Sequence, residues 1–455
     1  MRRTVSIIGG GGVRTPLLIH GLLHAQSLLN IGTLKLFDVD RNRAELMAGL
    51  GREIARVLHT DVQIDARESI ERAVEGSDFV LSSLRIGGMA ARARDERIAI
   101  DHGLAGQETT GPGGVAMALR TIPVALEHAR VVESLAPHAW FINFTNPAGL
   151  ITQALQQHTK LRVIGICDTP AELVHRISQA LREPAADVQC DYAGLNHLGW
   201  VRRVLVRGQD VTARLLADEH ALRQLYHAHL FDPLLIRTLR LIPSEYLFFY
   251  YSQRRAYENQ IAAGASRAEE LMRLNGDLFS QLQSESPSDA LGTYRRYLMK
   301  RNASYLRLEA EAGTGFQTRR DDPDPFDAPT GYHKIAVEVM LGLVSKQPRT
   351  VIVNVPNGGS VEDMRADDIV EVPCQISMEG VKPSQVGALP ESVRGLVLAV
   401  KAYERSAIRA AIEESWPMAL LAMLEYPIIG QWEIAEKLRA TWRVADPEHL
   451  GYLRN

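Results

Sequence analysis

The residues best suited to chemistry fall in one stretch, Val163 to Trp200, where Cys167-Asp168-Thr169-Pro170 is followed by Asn196-His197-Leu198-Gly199-Trp200. A thiolate and an imidazole with a carboxylate between them form a donor set for a divalent transition metal, and substrate oxygens can complete the sphere. Cys167 closes the apolar run Arg162 to Cys167, and His197 follows a second run, Tyr192 to Leu195. Both therefore stand where a buried strand ends, the edge of an open α/β sheet at which ligands bind. Taken alone, the two side chains read equally as a core thiol and a satisfied core histidine. The other polar motifs give the metal reading its weight.

The first motif opens the chain. A strand, Thr4 to Ile8, runs into Gly9-Gly10-Gly11-Gly12-Val13-Arg14 and then into a helical pattern from Pro16 to Leu29. Free N–H groups at a helix start, reached through glycines that let a phosphate come close, make an anion site. A second strand, Leu34 to Phe37, ends in Asp38, which can accept hydrogen bonds from the adenosine ribose of a dinucleotide. Arg14 stands where the usual fingerprint has its third glycine, and the next helical pattern begins at Arg41.

The elements that must position these residues alternate. Helix Arg41 to Leu58, strand Val62 to Ile64, strand Asp78 to Ser83, helix Gly114 to Leu135, strand Trp140 to Phe144 and helix Ala148 to Gln157 imply a parallel sheet with right-handed crossovers. The expectation is an α/β chain: a Rossmann-like doubly wound parallel sheet over residues 1–195, then a mixed α+β second domain over 196–455. The second part is expected to hold a strand at Val201 to Val206, helices at Ser266 to Ser284 and Ser288 to Lys300, strands at Thr350 to Val355 and Ile369 to Pro373, and helices from Pro390 onward. The Gly-, Asp- and Pro-rich text from Gly313 to Thr330, with Arg319 to Pro325 inside it, reads as loop.

Two polar segments exceed what a structural sheet needs. One leads from Arg85 through Arg92, Arg94, Asp95 and Glu96 to Gly106-Gln-Glu-Thr-Thr-Gly-Pro-Gly-Gly114; the other is Asn143-Phe-Thr-Asn-Pro147. Such loops bring backbone and polar groups close to a small polar ligand such as a sugar. Arg92 to Glu96 also reads as a solvated helix face with intrahelical pairs. In Ile242 to Tyr251, Tyr246 lies among aromatics at helical spacing, a pattern typical of core.

Composition narrows the classes. At 455 residues the chain fits two joined domains, and 46% apolar with 23% charged residues is ordinary for a soluble globular protein. A net charge of -3 and the lack of a basic stripe argue against nucleic acid as a partner. No apolar run approaches the roughly 18 residues of a membrane span. Met-Arg-Arg leads directly into the first strand, so no signal segment is expected, and three cysteines suit a reducing cytoplasm.

The combination Ile8-Gly-Gly-Gly11, Phe37-Asp38, Gly106 to Gly114, Thr145-Asn-Pro147, Cys167-Asp168-x-Pro170, Gly194 to Trp200, Lys300-Arg301-x-Ala-Ser-Tyr305 and Asn354-x-Pro-Asn-x-Gly359 resembles glycoside hydrolase family 4, the NAD- and manganese-dependent glycosidases. The resemblance runs in order over nearly the whole chain. It is greatest to the 6-phospho-β-glucosidase branch, through Gly106 to Gly114 and Asn196-His197-Leu198.

The resemblance implies a lactate/malate dehydrogenase-like architecture and a redox-assisted elimination, outside the two-carboxylate scheme of most glycosidases. Hydride leaves C3 of the sugar, a tyrosinate takes the acidified C2 proton, the glycosidic oxygen departs, water adds and the hydride returns. It implies NAD at Gly9, Gly10, Gly11, Gly12, Val13, Arg14, Asp38 and Arg41, and Mn2+ or another divalent metal at Cys167 and His197. Tyr246 matches the C2 base and Glu108 the acid that makes it more basic. Arg92, Asn146 and Asn196 match sugar-binding positions, and Arg267 matches the arginine of the 6-phosphate. A homodimer or homotetramer is expected. Asp168 is a departure: β-specific members usually carry Asn there, whereas Asp in the 6-phospho-α-glucosidases looks like the general acid. Gly12 replaces a common serine. The alternatives are a 6-phospho-α-glucosidase, a glycosidase of unphosphorylated sugars, an inert NAD-binding protein, and a 2-hydroxyacid dehydrogenase. The last relies on a His-Gly-Asp sequence that this chain lacks.

Overall fold

Val5 to Ile8 are all buried, as are Phe79 to Ser82 and Val163 to Gly165. Strands without a polar face must be covered on both sides, which is the condition of a parallel sheet between helix layers. The computed structural model, which describes residues 2–226, 230–311 and 324–455, has that arrangement. Its strands are β1 (Arg3–Ile8), β2 (Ile31–Phe37), β3 (Gln63–Ala66), β4 (Phe79–Ser82), β5 (Trp140–Asn143), β6 (Arg162–Gly165), β7 (Val188–Leu195), β8 (Leu198–Val206), β9 (Gln209–Asp210), β10 (Ile242–Pro243), β11 (Arg349–Pro356), β12 (Ile369–Ser377) and β13 (Gly380–Pro383).

Among the described residues these form one 13-stranded sheet whose main path is β10-β8-β7-β12-β11-β6-β5-β4-β1-β2-β3. The last six strands are parallel, in the order of a dinucleotide-binding fold. Antiparallel strands then extend the same sheet: β11 joins β6, β12 joins β11, and the hairpin of β7 and β8 joins β12. Position 195, where the sequence reading divides the chain, lies at the end of β7, so one continuous sheet crosses it.

The register explains how distant motifs meet. Phe37, Ile8, Ser82, Asn143, Gly165, Asn354, Glu371, Gly194 and Gly199 pair neighbour to neighbour in one row across the sheet. Gly9, Asp38, Cys167 and Asn196-His197 all lie just beyond that row. Gly165 is a point of close approach, since a Cβ there would stand 2.2 Å from Thr152 Oγ1 and 2.9 Å from Asn354 Cβ. Two helix groups cover the sheet: Thr15–His24 packs on Arg41–Val57 and Tyr332–Val344, and Pro112–Leu135 packs on Ala148–His158 and Glu391–Ile412.

Most expected elements are present with shifted ends. The helix expected from Pro16 to Leu29 is two, Thr15–His24 and Gln26–Leu29, closed by Asn30 in a left-handed conformation. Arg92 to Glu96 lie on the helix Gly88–Asp101, but Arg92, Asp95 and Glu96 are buried, so the expected solvated face is an internal one. Of the loop expected from Gly313 to Thr330, residues 313–323 lie outside the described residues.

Candidate active site

The glycine turn is built around the end of β2. Gly9 and Gly10 donate their N–H groups to Phe37 O at 2.9 and 2.8 Å. Gly9 has φ +82°, and a Cβ on it would meet Ser83 O at 2.2 Å, so this corner admits only glycine. Asp38 Oδ2 accepts from the Gly11 N–H at 2.9 Å and Oδ1 from the Asp40 N–H at 3.0 Å. The carboxylate thus holds the turn, and each oxygen keeps a lone pair for further donors such as ribose hydroxyls. Arg41 is exposed at the start of its helix beside this corner. Val13 O accepts from Tyr294 OH at 2.8 Å, while the Arg14 side chain leaves the turn altogether. Its guanidinium lies 5.3 Å from the centroid of the Tyr332 ring and 3.4 Å from Asp168 Oδ2.

Beyond the register row, Cys167 Sγ and His197 Nε2 face each other at 3.5 Å. His197 occupies the two-residue tip between β7 and β8 with φ +60°, a sparsely populated conformation for a side chain other than glycine. Burial pulls its imidazole down to about 4 against the opposing charges of Glu108 and Asp168, so the ring is neutral at pH 7. Burial, with the charges of Glu371 and Asp168, pushes the Cys167 thiol up. A thiol and a neutral imidazole this close would hold one divalent ion between them, and the ion would offset the thiolate charge. Among the described residues no cluster of three or more His, Cys, Asp or Glu side chains could hold a metal. The expected carboxylate between the two donors is not there: Asp168 is turned toward Arg14.

Tyr246 completes this group. It is buried in a short 3-10 turn, Glu245–Leu247, and its ring stacks on His197. Its hydroxyl lies 3.1 Å from Tyr305 OH, which donates to Glu245 Oε1. Burial raises the Tyr246 hydroxyl well above its ordinary value, and the charges of Glu245 and Glu108 push it the same way. Glu108 is ionised: despite burial, Arg85 at 2.7 Å and Arg92 at 2.8 Å hold its carboxyl well below the usual range. Asn146 Nδ2 reaches Glu108 Oε1 at 3.4 Å. Arg92 also binds Glu96 at 2.7 Å, so two carboxylates of the protein engage it. Arg85, which the sequence marked only as the start of a loop, is a second cation on Glu108.

Asn196 donates to Glu371 Oε1 at 3.1 Å. Tyr192 OH and Asn354 Nδ2 bind the same buried carboxyl at 2.8 and 2.9 Å. Burial pushes Glu371 up to about 7 against these three hydrogen bonds.

Arg267 begins the helix Arg267–Leu282 behind a capping box of Ser266 and Glu269. Its guanidinium donates to Ser304 Oγ at 2.5 Å, Glu270 Oε2 at 3.3 Å and Arg301 O at 3.0 Å. These bonds leave two of its five N–H donors. Burial and the charges of Arg14, Arg267 and Arg92 pull the neighbouring Arg301 down to about 10. Positive charges that converge on one guanidinium in this way would be relieved by an anion. Arg301 was within reach of sequence reasoning, because it stands in Lys300-Arg301-x-Ala-Ser-Tyr305.

A doubly wound sheet carrying a dinucleotide turn, prolonged by antiparallel strands, is the architecture of the nicotinamide-dependent dehydrogenases. A lactate dehydrogenase of Eimeria maxima matches with TM-score 0.53 over 91% of this chain and 96% of its own, a likeness of fold alone at 14% identity. The chain belongs to family 4 of the glycosyl hydrolases: residues 4–183 match the family 4 glycosyl hydrolase model and residues 192–429 match the model of that family's C-terminal domain. The 6-phospho-beta-glucosidase of Escherichia coli K12 is 30% identical over 449 residues, covering 95% of this chain and 93% of the relative. The structure of the 6-phospho-beta glucosidase from Thermotoga maritima with manganese, NAD+ and glucose-6-phosphate has TM-score 0.81 at 26% identity, over 98% of this chain and 99% of that one. A 6-phospho-alpha-glucosidase from gut microorganisms, in complex with NAD and glucose-6-phosphate, has TM-score 0.82 at 27% identity, over 100% and 99%.

Proposed function

We propose that this protein hydrolyses 6-phospho-β-glucosides with NAD and a divalent metal such as Mn2+, through transient oxidation at C3, deprotonation at C2 and elimination of the aglycone. The observation that carries this reading is the stack of Tyr246 on His197 beside Cys167, which sets a candidate base next to a candidate metal pair. NAD at the Gly9 to Arg14 turn, with Asp38 and Arg41, would supply a hydride acceptor for C3, and a divalent ion at Cys167 and His197 would supply a Lewis acid for the sugar oxygens.

The rest of the work falls to this chain's own residues. Tyr246, as the tyrosinate, takes the C2 proton and becomes the neutral phenol, and the negative Glu108, held between Arg85 and Arg92, makes that phenolate oxygen more basic. Asp168 donates to the departing oxygen. Arg92, Asn146 and Asn196 orient the sugar, Asn196 being steadied by Glu371. Arg267 and Arg301 receive the 6-phosphate, a dianion that suits guanidinium forks. In this reading residues 1–195 serve mainly the dinucleotide and residues 196–455 the sugar and self-association as a homodimer or homotetramer. Among the described residues no helix is long and apolar enough to cross a membrane, and a cytoplasmic setting suits three free cysteines.

A second reading, a 6-phospho-α-glucosidase, is favoured by Asp168 alone. Hydrolysis of paired chromogenic 6-phospho-β- and 6-phospho-α-glucosides, each with and without NAD+ and Mn2+ under reducing conditions, separates the two. Cleavage of the β anomer that requires both additions is expected. Preference for the α anomer would favour the second reading, and cleavage of neither would defeat both.

A further inference from the structure

The loop that carries Glu108 also carries Thr109, whose hydroxyl meets His197, and Gln107, whose carboxamide holds that hydroxyl. Gln107 Oε1 accepts three hydrogen bonds: from the Thr109 N–H at 2.6 Å, the Thr110 N–H at 2.6 Å and the Thr109 hydroxyl at 2.9 Å. The two backbone donors fix the orientation of the carboxamide, because its NH2 group could not accept them. The Thr109 hydroxyl has a single proton, and that proton is committed to Gln107. Only its lone pairs remain for His197 Nδ1, 2.8 Å away. Were the proton turned to Nδ1 instead, Thr109 Oγ1 and Gln107 Oε1 would stand 2.9 Å apart with no hydrogen between them. The proton in the contact to His197 therefore belongs to Nδ1. In the neutral ring this puts the lone pair on Nε2, the nitrogen 3.5 Å from Cys167 Sγ. Gln107, Thr109 and His197 are 6%, 7% and 7% exposed, so bulk water is poorly placed to supply a substitute partner.

We propose that Gln107 and Thr109 are positioning residues that lock His197 into the Nδ1–H tautomer and so present Nε2 to a divalent metal. The proposal rests on reading Cys167 and His197 as the metal pair. The chemistry is that of a ligating histidine whose second nitrogen is oriented by an outer partner, here a hydroxyl itself oriented by a carboxamide.

The test is a titration of metal-free, full-length protein with Mn2+, followed by loss of the free-ion electron paramagnetic resonance signal. Thr109→Val, which keeps the shape and loses the hydroxyl, is expected to weaken Mn2+ about 10- to 100-fold, the usual effect of removing an outer partner. Thr109→Ser is expected to restore wild-type affinity, and His197→Ala to weaken binding most. Wild-type affinity in Thr109→Val alongside a loss in His197→Ala would overturn the proposal and leave the metal pair standing. Undiminished binding in His197→Ala would overturn the metal pair and the proposal with it. A reading independent of the Thr109 variants comes from 15N-histidine spectra of the metal-free wild type, with the His197 signals assigned by their absence in His197→Ala. A proton on Nδ1 supports the proposal, and a proton on Nε2 overturns it.

Discussion

The rings of Tyr246 and His197 lie 3.6 Å apart and within 7° of parallel. One face of the imidazole is thereby closed, and the phenol is fixed beside the nitrogen that meets Cys167. Tyr246 and His197 lie on strand-end turns joined through the β8–β10 pairing of Ile242 with Val201 and Pro243 with Trp200. The stack is a consequence of that register.

Tyr246→Phe keeps the stacked ring and removes the hydroxyl. Turnover is expected to fall at least about 100-fold, the lower end of what a general base contributes, with NAD+ affinity unchanged. The direct measurement is solvent deuterium incorporation at C2 of the sugar during turnover in D2O. Persistence of exchange in the variant would remove Tyr246 as the base.

Glu108 is a buried carboxylate clamped between the buried Arg92 and the half-buried Arg85, so Glu108→Ala strands Arg92 in a poorly solvated place. Breaking a buried pair costs about 3–5 kcal/mol, whereas an exposed pair contributes about 0–1 kcal/mol. The Arg97–Glu269 pair, about a third exposed on both sides, is the control. Urea unfolding is expected to show a far larger loss for Glu108→Ala than for Arg97→Ala. Equal losses would mean that water reaches Glu108 freely.

Glu371 has a folded value raised to about 7, above the ordinary carboxylate value of 4.5. Between pH 4.5 and pH 7 the folded protein holds a proton there that the unfolded chain has lost, so this group's contribution to stability falls as pH rises through that window. Glu371→Gln stays neutral throughout and abolishes the slope. The difference in melting temperature, variant minus wild type, should therefore grow from pH 4.5 to pH 7 in metal-free protein and level off above it. A difference independent of pH would contradict the assignment.

What could be read in the sequence was whatever depends on local pattern. Val5 to Ile8 and Phe79 to Ser82 declare themselves as parallel strands because every residue is apolar or small, and their ends locate Gly9 and the sugar-side loops. Cys167 and His197 follow from the same rule. Arg92 to Glu96 misled because a charged helix face looks solvated until one knows that Glu108 and Arg120 bury it: Arg120 pairs with Asp95, 25 residues away, and with Asp446, 326 residues away. Thr109, Arg301 and Tyr305 were passed over for a similar reason. Their partners His197, Arg267 and Tyr246 lie 88, 34 and 59 residues distant, and tertiary packing brings them together, for Arg301 and Arg267 the packing of helices Pro287–Ala303 and Arg267–Leu282.

Arg301 sits where Arg14, Arg92 and Arg267 already crowd it with positive charge, and a phosphate would relieve that repulsion. Arg301→Ala should cut kcat/KM for a 6-phosphoglucoside by roughly 10- to 100-fold, as expected for a charge-assisted hydrogen bond of about 1.5–3 kcal/mol. Any slow hydrolysis of the unphosphorylated glucoside should be unchanged. An equal loss on both substrates would show that Arg301 supports the fold of the site and has no special relation to phosphate.

Asp168 is placed for two different tasks, acid catalysis and the anchoring of Arg14. It adjoins Cys167, lies 3.4 Å from Arg14, and its side chain is 33% exposed, so it is accessible to solvent and tethered to an arginine of the glycine turn. If it protonates the departing oxygen, Asp168→Asn removes the donor and leaves the shape. Glycosides with a poor leaving group such as an alkyl alcohol should then lose about 100-fold or more, while nitrophenyl glycosides, which need no proton, lose little. If Asp168 instead only anchors Arg14, both substrates should fall together and Arg14→Ala should reproduce the loss. Steady-state rates on the two leaving groups, measured for each anomer in wild type and both variants, separate acid catalysis from anchoring. A nitrophenyl-to-alkyl ratio that stays at its wild-type value in Asp168→Asn would end the case for Asp168 as the acid, and with it the main argument for the α anomer.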